Sequence, residues 1–150
     1  MNTQMVVAVV LTVLLAASAY AQTTDFFELA KTGTPQDVQA AISKGADVNA
    51  QGDAGLTALM FAAGNNQNPK VITTLLKAGA AVNAQNIYGA TALMLAAEYN
   101  KNSKVITTLL RAGADMRRKD NEGKTAFDYA KDNDKLKGTD ALLQLQKASQ

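Results

Sequence analysis

The amino-acid sequence predicts an all-α helical-repeat solenoid of about four units, the terminal two atypical, and three observations carry that prediction. The stretch from Gly55 to Tyr88 returns in register from Gly89 to Glu122, and most positions of Gly55–Ala80 are identical in Gly89–Ala114. A fixed period in the range of about 20–50 residues marks a stacked array rather than a domain with an enclosed site. Within each copy apolar residues recur at helical spacing between a capping residue and a glycine stop. Finally, Asp25–Ala50 and Gly123–Gln150 repeat the pattern imperfectly, as terminal units covering one side only must.

Residues 1–21 stand apart from the array. Met5–Ala17 is an almost unbroken apolar run, shorter than the roughly 20 residues that span a bilayer, and Ala19-Tyr20-Ala21 is an A-x-A cleavage pattern. Residues 1–21 are therefore expected to be a secretory signal peptide, cleaved after Ala21 to leave Gln22–Gln150. The lead segment Met1–Gln4 has only the amino terminus as a positive charge, and an uncleaved signal anchor is the alternative. The absence of cysteine near Ala21 excludes a bacterial lipoprotein anchor.

Residues 22–150 form one domain, with units at about 25–54, 55–88, 89–122 and 123–150. In the first unit Thr34 and Pro35 start a helix and Gly45 stops it. In the second, Asn68 caps a helix whose first residue is Pro69, where a missing amide hydrogen costs nothing. Val71, Ile72, Leu75 and Leu76 then recur at helical spacing, and Gly79 stands where a left-handed stop is needed. The third repeats this with Asn102, Ser103, Val105, Ile106, Leu109, Leu110 and Gly113. The fourth opens at Gly123, Thr125, Ala126 and Phe127, then lengthens before its last helix. Small residues at Ala62, Ala63, Ala96 and Ala97 let the first helices approach closely. Leu76 and Leu110 are expected in the core, at roughly 2–5 kcal/mol each on replacement by Ala.

Three signatures recur in register. T-A-L-M opens the copies at Thr57–Met60 and Thr91–Met94; an Ala pair and V-I-T-T-L-L follow; and Gly45–Ala50, Gly79–Ala84 and Gly113–Arg118 read G-A-D-V-N-A, G-A-A-V-N-A and G-A-D-M-R-R. This resembles the ankyrin repeat, whose unit is a turn, two antiparallel helices and a second turn, with a usual opening of T-P-L-H. Here Ala58 and Ala92 replace the proline, and Met60 and Met94 the histidine. The resemblance implies a less rigid turn with the fold intact, and it covers essentially all of the chain after residue 24.

Composition removes most catalytic designs. There is no histidine and no cysteine, so the commonest general base, the thiolate nucleophile and ordinary zinc ligand sets are missing. Gly52 and Gly55 fit no phosphate-cradling motif and are turn glycines. Asp132-Asn133-Asp134 superficially opens a calcium loop, but its sixth position is Lys137 and its twelfth Leu143, where glycine and a bidentate Glu are required. No catalytic residue, metal or cofactor is expected; the one enzyme alternative is carboxylate chemistry at Asp128 and Asp132. The basic run Arg117-Arg118-Lys119 is flanked by Asp115, Asp120 and Glu122 on a chain of formal net charge +2, which reads as a solvated turn and not a nucleic-acid site. A secreted chain without disulfides or N-x-S/T acceptors suits a bacterial periplasm or exterior.

What remains is surface recognition. The resemblance implies a concave strip made of turn tips and the exposed side of the first helices. The second unit gives it Asp53, Ala54, Leu56, Met60, Gly64 and Asn65; the third gives Ile87, Tyr88, Ala90, Met94, Glu98 and Tyr99; the fourth gives Asn121, Glu122, Lys124 and Asp128. The two near-identical copies differ here: Gly64-Asn65 becomes Glu98-Tyr99, and Leu56 becomes Ala90. Ile87, Tyr88, Met94 and Tyr99 would form an apolar, aromatic patch of the kind that anchors protein partners. Packing between first helices is an equal alternative for Met60 and Met94. The expected function is that of an exported, non-catalytic, monomeric module that binds another protein, with no membrane insertion once the signal is cleaved. A scaffold tethered by an uncleaved leader is the alternative.

Overall fold

Local capping sets where each helix begins. A computed structural model describes residues 3–149, with the side chains of Thr3, Ala19, Tyr20 and Thr24 excepted. Its helices are α1 (Thr3–Thr32), α2 (Pro35–Ser43), α3 (Ala58–Asn65), α4 (Pro69–Lys77), α5 (Ala92–Tyr99), α6 (Ser103–Arg111), α7 (Ala126–Ala130) and α8 (Asp140–Ala148). Short 3₁₀ turns lie at Asp53–Gly55 and Asp134–Leu136. Thr34 and Asp37 form a reciprocal capping box at the start of α2. Asn68 and Asn102 accept the amides of Lys70 and Lys104 at α4 and α6. Thr57 and Thr91 accept those of Met60 and Met94 at α3 and α5. The threonine cap thus closes the opening turn where the usual proline and histidine are absent. Gly45, Gly79 and Gly113 end α2, α4 and α6 with φ of 98°, 94° and 88°, the left-handed stop that a side chain resists.

The helices stack in two layers. One holds α1, α3, α5 and α7, and the other α2, α4, α6 and α8. The first layer closes over alanines, with Ala30, Ala62, Ala63, Ala96, Ala97 and Ala130 fully buried. The second contributes Val38, Val71, Ile72, Leu75, Val105, Ile106, Leu109 and Leu145. Leu76 and Leu110 are not full core residues: both are half-buried and line open grooves beside α6 and α8 respectively. One residue advances the helix by about 100°, which turns Leu75 and Leu109 inward and leaves their successors at the rim.

A polar ladder joins the unit ends. Asn100 is fully buried; its Nδ2 donates to the carbonyls of Ala63 (2.7 Å) and Asn66 (3.0 Å), and its Oδ1 accepts from the Asn102 amide (2.9 Å). Asn66 makes the same links back to Ala30 and Gly33, and Asn133 to Ala97 and Asn100. On the opposite side Asn49 bridges to Gly79 and Ala81, and Asn83 to Gly113 and Asp115. Carbonyls and amides left over at helix ends are thereby satisfied between units.

The amino-terminal segment continues the first repeat helix. α1 runs without a break through Ala21; Gln4–Ser18 are exposed, whereas Phe26 and Ala30 are buried against α3. Gln4–Thr32 is long and apolar enough to cross a membrane, a test that a secretory leader passes equally. Met1 and Asn2 of the lead segment, and the side chains of Ala19 and Tyr20 in the cleavage pattern, lie outside the described residues.

Candidate protein-binding surface

The turn tips are built from short-range ties and then stacked. Asn86 Oδ1 accepts the amides of Tyr88 and Ala90, and Asp120 Oδ1 those of Glu122 and Lys124, a geometry that Asn and Asp favour in turns. Successive tips are joined by backbone hydrogen bonds: the Ile87 amide donates to the Ala54 carbonyl and the Asn121 amide to the Tyr88 carbonyl, each at 3.0 Å. Asn121 Nδ2 adds a bond to the Ile87 carbonyl. Side chains on these tips are therefore held by a rigid frame.

Most of the predicted strip faces solvent. Ile87, Tyr88 and Tyr99 are 64%, 62% and 59% exposed. Asp53, Asn65, Glu98, Asn121, Glu122 and Lys124 are exposed or nearly so, and Leu56 is half-buried against the core. Met60 and Met94 are a correction: at 1% and 2% exposure they lie within the first-helix stack and are closed to any partner. Gly64 is buried too. Each methionine follows its threonine cap by three positions, on the side that meets the neighbouring helices.

The open face belongs to the next residue along. Phe27, Phe61, Leu95 and Tyr129 recur at the repeat period and are all half-buried. The first and last of them reach the turns: Phe27 abuts Gly52 of the adjoining turn, and Tyr129 donates its hydroxyl hydrogen to Asp120. Phe27 and Phe61 pack with ring centroids 5.2 Å apart. Sequence reasoning missed this column, although Phe61 against Leu95 is another place where the copies differ. The expected patch is also longer than anticipated, since Tyr88 precedes α5 and Tyr99 ends it, with about 12 Å of helix between. Leu95, not Met94, lies between them.

Charges gather toward the fourth unit. Lys124 Nζ sits 2.7 Å from Glu122 and 5.6 Å from the centroid of the Tyr129 ring. Hydrogen bonding to Asp120, then burial, pushes the Tyr129 phenol well above its ordinary value. Burial pushes Asp120 up, but hydrogen bonds from Tyr129 and from the Lys124 and Glu122 amides outweigh it and hold the carboxyl low. A hydrogen bond to Glu98 raises the Tyr99 phenol.

Asp128 is engaged in the capping box of α7, accepting the amide and hydroxyl of the cap residue Thr125. The Thr125 amide above all holds its carboxyl below the usual range. Such a group is a fixed anion at neutral pH, unsuited to donate a proton. Among the described residues no three His, Cys, Asp or Glu side chains converge on a point that could hold a metal. In the basic turn, Arg118 bonds Gln85 of the preceding unit and lies 3.9 Å from Asp115, which ties it to the stack.

A family model described as ankyrin repeats, in 3 copies, matches residues 26–120 and, in a second placement, 67–149. No curated protein matches the chain.

Proposed function

The chain belongs to the ankyrin repeat family, and on that premise we propose that it is an exported, non-catalytic module that binds another protein along the inner strip of turn tips and first helices. Ankyrin repeats are protein-interaction modules as a class. One observation supports the finer reading above the others: Ile87, Tyr88 and Tyr99 stand exposed on and beside a backbone-stitched turn stack. Rigid tyrosines bury much area for little lost freedom, and large exposed apolar side chains gathered on one face mark interaction sites. Residues 1–21 act as the export signal, and the mature chain works outside the cytoplasm of a bacterium, as a monomer.

Two measurements test this. Mass spectrometry of the protein recovered from the cell envelope and medium should find Gln22 at the amino terminus; an intact leader on a membrane-bound protein would replace the exported module with a tethered scaffold. For binding, the captured partner should lose about 2–4 kcal/mol of affinity for a Tyr88→Ala/Tyr99→Ala variant, whose melting temperature stays near that of the parent because both rings are exposed. Thr74→Ser with Lys104→Gln on the second helices should leave affinity unchanged. Full binding by the tyrosine variant would move the interface off this strip.

A further inference from the structure

We propose that the strip receives a partner segment that is both apolar and positively charged, its arginine or lysine heads meeting Glu98 and Asp53 while its aliphatic side chains lie on Phe61, Leu95 and the rings of Tyr88 and Tyr99. The proposal rests on the strip being the binding surface and adds the partner's chemistry. Charge complementarity carries it. Along the strip Asp53, Glu98, Asp120, Glu122 and Asp128 bear carboxylates, against the ammonium groups of Lys124 and of Lys131 beside Asp128. The strip is thus net acidic on a chain whose formal net charge is +2. The acidic excess is local, set against a basic remainder. An acidic segment is drawn to the rest of the molecule and repelled here.

The carboxylates differ in what they already hold. Asp120 is taken by Tyr129, Glu122 by Lys124 and Asp128 by Thr125 and Lys131. Asp53 and Glu98 make no direct ion pair among the described residues, and Glu98 meets only the neighbouring Tyr99 phenol. Lys124 displays how this surface accommodates a cation, between a carboxylate and the face of a ring. Glu98 beside Tyr99 repeats that pairing with no cation in direct contact, Lys124 acting on it only from farther off, next to the open face of Leu95. Apolar contact supplies tightness, and the carboxylates supply choice of partner and speed of encounter.

The probes are peptides. Protein isolated from cells expressing the full chain is panned against a random linear-peptide library, and the enriched sequences are resynthesised. They should be rich in Leu, Ile or Phe with net positive charge. Their affinity should fall about threefold to tenfold for an Asp53→Asn/Glu98→Gln variant, should fall further for Tyr88→Ala/Tyr99→Ala, and should weaken with added salt. All four positions are exposed, and matching melting curves establish that the variants fold. Neutral or acidic peptides that still depend on the tyrosines overturn the charge inference and leave the strip standing as the interface. Peptides indifferent to the tyrosines overturn the strip itself. Basic peptides indifferent to the two neutralisations, or no enrichment at all, also overturn the proposal.

Discussion

Replacing Asn100 by alanine should be among the most damaging single changes to this fold, although Asn100 lies in the loop between α5 and α6. Its side chain is fully buried and makes three hydrogen bonds, two donated across the unit boundary to Ala63 and Asn66 and one accepted from Asn102. At about 1 kcal/mol net for each bond, the loss is about 3 kcal/mol, a large share of the roughly 5–15 kcal/mol typical of a domain. That corresponds to a fall in melting temperature of about 10 °C, read from the helical circular dichroism signal. Asn100→Asp sharpens the test. The new carboxylate keeps the acceptor but faces two carbonyl oxygens with no proton to offer, so near neutral pH it should be no better than alanine. Its folded-state pKa would be raised above the unfolded value, so stability is gained as pH falls from the folded value toward the unfolded one of about 3.9, and the aspartate variant should recover relative to alanine over that acid range. Asn133→Ala should cost less, because its side chain is only part-buried and it serves the terminal unit. An alanine variant melting within about 2 °C of the parent, or an aspartate variant tracking it at every pH, would refute the ladder's role.

Other outcomes follow from the same geometry. Leu75→Ala and Leu109→Ala should each cost about 2–5 kcal/mol in urea denaturation, and Leu76→Ala and Leu110→Ala distinctly less, because only the first pair is fully buried; the reverse order would mean the second helices are rotated. Gly79→Ala and Gly89→Ala both place alanine at positive φ (94° and 75°), but a Cβ at Gly79 meets nothing, whereas at Gly89 it comes within 2.9 Å of the Asn121 amide nitrogen. Gly79→Ala should therefore cost about 1–2 kcal/mol and Gly89→Ala more, and equal losses would deny that the tips stack. The Asp120 carboxyl is lowered on folding, so its contribution is present above an unfolded pKa of about 3.9 and is lost as pH falls through the folded value. The Tyr129 phenol is raised, so its contribution is present below about pH 10 and is lost as pH rises through the folded value. Tyr129→Phe should flatten both limbs of a pH–stability profile, and an unaltered profile would remove the Asp120 bond from the account.

Residues acting over one turn or less were legible from the chain alone. Asn68 and Asn102 as caps, Thr34 with Pro35 as a start, and Gly45, Gly79 and Gly113 as stops all work through contacts within a few positions, so their types at the right spacing suffice. The repeat period then dictated a stack, because one such unit cannot bury its own apolar face. Exposure of Ile87 and Tyr88 followed from their place on a turn tip.

Helix phase was decided only by the neighbours. Ala58–Asn65 and Ala92–Tyr99 are apolar nearly all round, so no periodicity separates Met60 and Met94, which are buried, from Phe61 and Leu95, which line the strip. Flanking helices on both sides make that choice, and they enter only once the units stack. Leu75 and Leu76 pose the same difficulty, two adjacent leucines on one apolar side, ranked by where α6 lies. Asn66, Asn100 and Asn133 look like loop residues in the sequence. Their burial follows from carbonyls presented by the unit before, a full repeat away along the chain yet within 3.2 Å in space for the bonds to Ala30, Ala63 and Ala97.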